Sequence, residues 1–578
     1  METILKLLKP YRASLILVAI VDALGMLTTL LMPYVMSEVV ESGIARGDMP
    51  LVWRYGALML LLAVMSIVTS LISVKLNTRI TARYSADLCQ ATFEKINSLS
   101  YSDYSKIGPS GLLTRATDDI FNIEEAVTSL PYMLVTVPIM LIGSTVLSLM
   151  ADVTLSLVFM ISIPAVLLLV YILMRPLGNM WDKADRYIDV QNKIVRERLS
   201  CLRVVRAFNN EHREHARAKQ ATEEMSKYMI QANTRGSFVE PFAMLLLNLA
   251  TVAVVYFGGI KAQSSQTLGA GDIIAVLQYI ALISNALISI SWTLSWLPRL
   301  KVSVNRINEV HSLKSEQTSE SDITVEGFRV DMKDVSFTYP DSNERVLKNI
   351  SLSVGEGERV AVIGGTGSGK TTLVRLLTGL FDATEGEITL AGAPYTALTK
   401  SEVRRHFSVA LQKAAIFEGT VRENIKMGNP NATDEEIYEV LRLSKIDDYV
   451  NSHEEGLDYL LVGMGRNASG GQKQRLSMAR TVIKDVDVYI FDDSFSALDF
   501  LTESEIRANY LERLKGKTQI FVTQRVSTAM SAERIYVMAD GEIVAVGDHD
   551  TLLSECEIYR EIAESQLGRV GGEKNEKN

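Results

Sequence analysis

The densest chemistry in this chain lies in three short stretches of its second half. The first, GGTGSGKTTLVRLL, has the form G-x-x-x-x-G-K-T from Gly364 to Thr371 and follows the apolar run RVAVIG. Glycines at that spacing let the backbone fold tightly and turn N–H groups toward phosphate at a helix start. Lys370 can neutralise β- and γ-phosphates, and the Thr371 hydroxyl can ligate magnesium. The second stretch, DVDVYIFDD, reads as an apolar strand ending in Asp492, placed to hold magnesium through water. The third, NASGGQKQRLSMAR, sets Ser469, Gly470 and Gly471 before an amphipathic helix, another anion-binding nest. One nucleotide hardly needs two such cradles on one chain. The economical reading is that the second nest serves the γ-phosphate bound to a different subunit.

The elements that must position these groups are legible on either side. Residues 329–568 read as an α/β unit in which the β-rich segments RVDMKDVSF and ISLSV lead into the strand before Gly364. Ahead of it, residues 311–328, HSLKSEQTSESDITVEGF, are polar and lack apolar periodicity, as a linker does. The last residues, 569–578, are expected to be a disordered tail.

Residues 1–310 have another character. Six segments, about 14–36, 55–75, 129–150, 153–174, 240–262 and 273–297, are long and apolar enough to cross a hydrocarbon core of roughly 30 Å. Short links join segments one and two, three and four, and five and six. Long stretches join two to three and four to five, and these carry the positive charge: Arg79, Arg83, Lys95, Lys106 and Arg115 in the first, Arg196, Arg198, Arg203, Arg206, Arg213 and Arg217 in the second. The positive-inside rule therefore puts both termini and the long stretches in the cytoplasm. Their helical apolar period continues the membrane helices outward, with one interruption each, near 98–111 and near 196–208. Short helices there are natural docking sites for a soluble domain; the alternative is a surface loop.

Within the last segment Gln278, Asn285, Ser289, Trp292 and Trp296 fall on one helical face. Such groups face either a cargo pathway or a neighbouring helix that they hold by hydrogen bonds. Asp22 stands inside the first segment, where a carboxylate costs roughly 2.5–3.5 kcal/mol to insert. It either faces a cavity that favours cationic cargo or pairs with a neighbour.

Composition excludes other classes. The net charge is −9 and no basic stripe interleaved with aromatics occurs, which argues against nucleic acid. Cys89, Cys201 and Cys556 are far apart and fit neither a disulfide framework nor a zinc site. They are expected to be inert buried or half-buried thiols. The first residues lack a small-residue cleavage site, so they read as a first membrane helix with a basic lead-in and not as a signal peptide.

Together the motifs and their order resemble the ABC transporters, and the six-span arrangement resembles their exporter-type half-transporters, over nearly the whole chain. The fold implied is an α-helical six-span transmembrane domain with long cytoplasmic extensions, followed by an α/β P-loop nucleotide-binding domain. By resemblance Tyr339 would stack on adenine, and Gly364, Gly365, Thr366, Gly367, Ser368, Gly369, Lys370 and Thr371 would form the Walker A loop, which binds ATP together with Thr372. Thr371, Gln412 and Asp492 would hold Mg2+, and Asp499 would be the D-loop residue. The signature would be Ala468, Ser469, Gly470, Gly471 and Gln472, with alanine where the family has leucine. The segments 98–111 and 196–208 would be coupling helices.

Two positions depart from the family. Asp493 stands where a catalytic glutamate is usual, and Gln524 where a switch histidine is usual. An aspartate is one methylene short, and a displacement on the order of 1 Å can cost about 10²-fold. Glutamine can hydrogen-bond to a γ-phosphate but brings it no positive charge. The pair of changes resembles the degenerate subunit of heterodimeric exporters. It implies a partner half-transporter with the catalytic glutamate and switch histidine, to whose site this chain lends its signature. The expected activity is ATP-driven export of amphipathic drugs, lipids or peptides across a bacterial plasma membrane. The alternatives are a homodimeric exporter with variant catalytic residues, an ATP-gated regulatory or channel-like subunit, and an importer on the same scaffold.

Overall fold

The computed structural model describes residues 2–264, 268–316, 327–340 and 342–567. The expected tail 569–578 and the middle of the expected linker, 317–326, lie outside the described residues. The chain forms two compact units. One comprises residues 1–95 and 113–312, the other residues 96–112 and 313–578.

The first unit is helical because its sequence offers long apolar runs whose backbone must be satisfied internally in lipid. Six helical paths are long and apolar enough to cross a membrane: 4–44, 49–97, 109–151, 153–200, 211–263 and 270–290, the last continuing as helix to Ser312. Each of the first five is about twice the roughly 20 residues a bilayer requires, so these helices project beyond it, as the continuing apolar period implied. Met49–Asn97 alone is one helix of 49 residues, about 74 Å long. Side chains such as Ile16, Leu60, Leu71 and Val252 are exposed, as lipid-facing residues must be. The fourth, fifth and sixth paths pack around Leu155, Val166, Leu247, Val254, Ile280 and Ile283. A cluster of Ile4, Tyr84, Leu88, Ile120, Ile123 and Ile307 binds the extensions of the second, third and sixth paths to the N-terminal turn.

Both interruptions of the long stretches are short helices. Tyr101–Ile107 is capped by Ser100, whose hydroxyl accepts from the Asp103 N–H at 3.1 Å, and is closed by Gly108 at φ +77°. Leu202–Ala207 exposes its own Leu202 and Val204 and is flanked by exposed Leu199 and Phe208. The thiols differ from expectation: only Cys556 is buried, while Cys89 and Cys201 are exposed.

The second unit carries twelve strands among its described residues: β1 (Val330–Thr338), β2 (Arg345–Val354), β3 (Arg359–Gly364), β4 (Glu385–Leu390), β5 (Ala393–Pro394), β6 (Phe407–Ala410), β7 (Gly419–Thr420), β8 (Leu460–Leu461), β9 (Val488–Asp492), β10 (Thr518–Thr523), β11 (Arg534–Ala539) and β12 (Glu542–Gly547). An antiparallel sheet runs β2-β1-β4-β5, and a six-stranded sheet runs β12-β11-β3-β10-β9-β6. The four pairings among β11, β3, β10, β9 and β6 are parallel. Their near-continuous Val, Ile, Ala and Phe runs are what a sheet covered on both faces demands. The helix Tyr101–Ile107 belongs to this unit, where the Tyr101 ring meets Phe381 edge-on at 5.3 Å.

Candidate functional site

The C-terminal ends of β3, β9 and β10 meet in register, Thr523 opposite Ile363 and Val522 opposite Asp492. Open α/β sheets bind ligands at this end of their parallel strands. The loop leaving β3 turns through Gly367 at φ +85° and Gly369 at φ +97°, left-handed conformations that only glycine adopts without strain. The helix Lys370–Leu377 follows directly, so its first amides face the loop. Lys370 is buried, and its Nζ donates to Gly364 O at 2.8 Å, Gly365 O at 2.7 Å and Ser368 Oγ at 3.3 Å. Burial lowers its pKa, while Asp493 and Asp492 oppose that shift. Thr372 Oγ1 and the Tyr339 hydroxyl are 2.9 Å apart, and Arg375 donates to the same hydroxyl at 2.9 Å. The Tyr339 ring also sits edge-on to Phe337 and Phe381, so it is pinned beside the helix and does not stand free.

Asp492 ends β9 at 2% exposure. Its Oδ2 is buried without a hydrogen-bond partner. Burial pushes its carboxyl up to about 6, against the pull of the Thr371 hydroxyl. A buried, half-satisfied carboxylate is costly unless a cation compensates it. With Thr371 and Gln412 it makes a set of hard oxygen donors that fits a magnesium ion.

Asp493 adopts φ +46°, a left-handed conformation that aspartate tolerates better than most residues. Its N–H donates to Val522 O at 2.7 Å, and its Oδ2 accepts from Gln412 Nε2 at 3.3 Å. Burial raises its pKa, opposed by Gln412, Lys370 and Arg525. Gln524 follows β10, and its Oε1 accepts from Thr366 Oγ1 at 3.4 Å. Gly364–Thr372, Gln412, Asp492, Asp493 and Gln524 are thus brought together beyond the C-terminal ends of β3, β9 and β10.

The signature stretch is built separately. Ser469 caps the helix Gly470–Val482: its hydroxyl accepts from Gln472 N–H at 3.3 Å, and Gln472 Oε1 accepts from Ser469 N–H at 2.7 Å. The S-x-x-Q spacing of a capping box was available in the sequence as a signal for this reciprocal pair. Ala468 is buried, whereas Ser469 and Gly470 are exposed at the helix N-terminus. Among the described residues no hydrogen bond or ion pair joins Ser469–Gln472 to Gly364–Thr372. Asp499 caps the helix Phe500–Arg513 by accepting from Thr502 N–H at 3.0 Å, and that bond keeps its pKa low.

One group went unnoticed in the sequence. Arg525, next to Gln524, pairs with Glu503, which is 1% exposed, and donates to Ser496 O at 3.1 Å and Leu498 O at 3.3 Å. It ties the segment after β10 to the loop after β9. Residues 22, 27 and 29 apart in sequence carry no local signal of such a bond.

In the first unit Asn285 is exposed and Gln278 half-buried. The Ser289 hydroxyl lies 2.9 Å from that of Tyr132, on another helical path. The side chains of Trp292 and Trp296 lie outside the described residues. Asp22 is half-buried and makes no ion pair among the described residues. One turn along its helix, Gly25 abuts Thr69 and the Thr29 hydroxyl lies 3.3 Å from that of Ser66.

Residues 15–287 match the ABC transporter transmembrane region, and residues 347–496 match the ABC transporter family. An ABC transporter ATP-binding protein of Mycobacterium tuberculosis is 33% identical, over 98% of this chain and 98% of that one. An ATP-dependent lipid A-core flippase of Syntrophus aciditrophicus is 27% identical, over 85% of this chain and 82% of that one. A bacterial Atm1-family ABC exporter with ATP bound has the same fold, with a TM-score of 0.85 at 21% identity, covering 97% of this chain and 100% of that one. Six spans, a complete P-loop sheet and full-length relatives agree: the chain belongs to the ABC transporters, as a multi-pass plasma-membrane protein of the exporter fold with an ATP-binding domain.

Proposed function

We propose that this chain is the degenerate half of a heterodimeric ATP-driven exporter. The observation that carries the reading is the pair Asp493 and Gln524 in a pocket otherwise complete. The loop amides and Lys370 bind and orient the phosphates, with Tyr339 beside the P-loop helix on the adenine side. Thr371, Gln412 and Asp492 would hold Mg2+, which when bound supplies charge neutralisation at the phosphate oxygens. Asp493 is held by its backbone and by Gln412, short of where a longer carboxylate would place a proton acceptor. Gln524 can donate to a phosphate oxygen without adding charge. The pocket therefore retains ATP and turns it over slowly.

The other half of the machinery acts in trans. The exposed N-terminus of the signature helix is offered to the partner's nucleotide, where the partner supplies a catalytic glutamate and a switch histidine. ATP-driven closure of the two nucleotide domains moves the coupling helices 98–111 and 196–208, and hydrolysis at the partner's site resets them. Cargo is amphipathic, a class in keeping with the lipid flippase among the relatives. Asp22 gives the cargo path a preference for cations.

ATPase activity of this chain alone and of the co-expressed pair tests the reading. Turnover is expected only in the pair, abolished by neutralising the partner's glutamate and retained in Asp493→Asn. Robust turnover by this chain alone would instead make it a homodimeric pump with variant catalytic residues.

A further inference from the structure

A buried amide on the signature helix lies where two loops meet. Gln474 is 5% exposed, one turn after Gly470. Its Nε2 donates to the backbone oxygen of Gln412 at 3.2 Å, and its Oε1 accepts from the backbone N–H of Ala497 at 3.2 Å. Gln412 carries the side chain that reaches Asp493, and Ala497 belongs to the loop between Asp493 and Asp499. That loop also lies against the first turn of the helix: a Cβ on Gly471 would stand 3.5 Å from Ala497 O. Arg525, adjacent to Gln524, grips the same loop at Ser496 and Leu498. One side chain is thus bonded to both segments that border this chain's own pocket, and it rides on the helix whose tip is offered elsewhere. Both of its partners are main-chain groups, which are left short of a hydrogen bond whenever the amide is lost.

We propose that Gln474 is a positioning residue that fixes the Ser469–Gly471 nest relative to Gln412 and the 493–499 loop. Occupancy of this chain's own pocket thereby sets where the nest is presented to the partner's ATP. The inference rests on the asymmetric-dimer reading and explains why a weak site is kept, since nucleotide held there aims the signature. An amide is required because one end must donate and the other accept. Glutamate keeps the acceptor for Ala497 but sets a carboxylate against the Gln412 carbonyl, and methionine keeps the length with neither bond.

The test uses the purified pair in lipid, with Gln474→Met, Gln474→Glu and, to weaken ATP binding in this chain's own pocket, Lys370→Ala. Loss of the two bonds in Gln474→Met is expected to lower kcat at the partner's site about tenfold, with KM for ATP unchanged. Gln474→Glu is expected to behave like Gln474→Met. Lys370→Ala is expected to slow the parent pair and to add nothing in the Gln474→Met background. Additive effects of Lys370→Ala and Gln474→Met, with asymmetry intact, would overturn this inference alone. So would a Gln474→Met loss in which KM and thermal unfolding shift together with kcat, since that marks general loosening. Full activity of this chain without a partner would overturn the dimer reading beneath it.

Discussion

On the proposed asymmetric reading, lengthening Asp493 to glutamate asks whether this site turns over slowly for want of reach. Its backbone leaves little room to compensate: the N–H is bonded to Val522 O at 2.7 Å and φ is held at +46°. The reach of the carboxylate is therefore set by side-chain length. One methylene extends it by about 1.5 Å, and a misplacement near 1 Å costs about 10²-fold. Against that gain, glutamate tolerates the left-handed backbone less well than aspartate, by up to about 1–2 kcal/mol, or about tenfold. Asp493→Glu alone should therefore raise turnover at this site by roughly tenfold, the gain of 10² less the strain. Gln524→His adds a charged donor toward the γ-phosphate, a type of contact whose removal costs about 10²–10³ in other sites. The double variant should accordingly gain more than either single one. The assay is phosphate release by the pair in which the partner's catalytic glutamate is neutralised, so that only this pocket can turn over. A double variant that binds ATP yet is no faster than its parent would refute the reasoning, because reach and charge would then not be what limits the site.

Three further expectations concern other parts of the molecule. Asp492 has its pKa raised from 3.8 to about 6 by burial, so the folded chain binds the proton more tightly than the unfolded one. Stability without nucleotide should fall as pH rises between those values, by about 3 kcal/mol in all. Asp492→Asn should flatten that slope in thermal unfolding and remove the extra stabilisation that magnesium adds to ATP. Ser469→Arg blocks the exposed helix N-terminus and should abolish turnover by the pair while this chain still photolabels with an ATP analogue; persisting turnover would show that the nest serves no nucleotide. Asp22→Asn should reduce transport of a lipophilic cation about tenfold relative to a neutral dye, measured as efflux from vesicles, and equal loss of both would assign Asp22 to helix packing.

What could be read in advance was whatever depends on spacing. G-x-x-x-x-G-K-T, the run ending at Asp492 and the Ser-Gly-Gly before a helix each carry their chemistry locally, and six apolar segments announce themselves by length alone. The interruptions at 98–111 and 196–208 showed as breaks in a helical period. What could not be read depends on contacts between distant residues. Nothing near Tyr339 tells that its hydroxyl is held by Thr372 and Arg375. The left-handed turn at Asp493 is imposed by the end of β9 against β10. Gln474 looks like any polar residue on an amphipathic helix until the loops 62 and 23 residues away are in place. Asp499 was assigned by likeness to the D-loop, and its capping of the next helix emerges only with Thr502 beside it.

The allotment of residues 96–112 to the same body as the nucleotide-binding domain bears on how such proteins can be recombined. A graft that exchanges everything after residue 312 would separate Phe381 from the Tyr101 ring it packs against, although the cut falls in a polar stretch. The compact unit is discontinuous along the chain, and a working chimera would have to carry both pieces together.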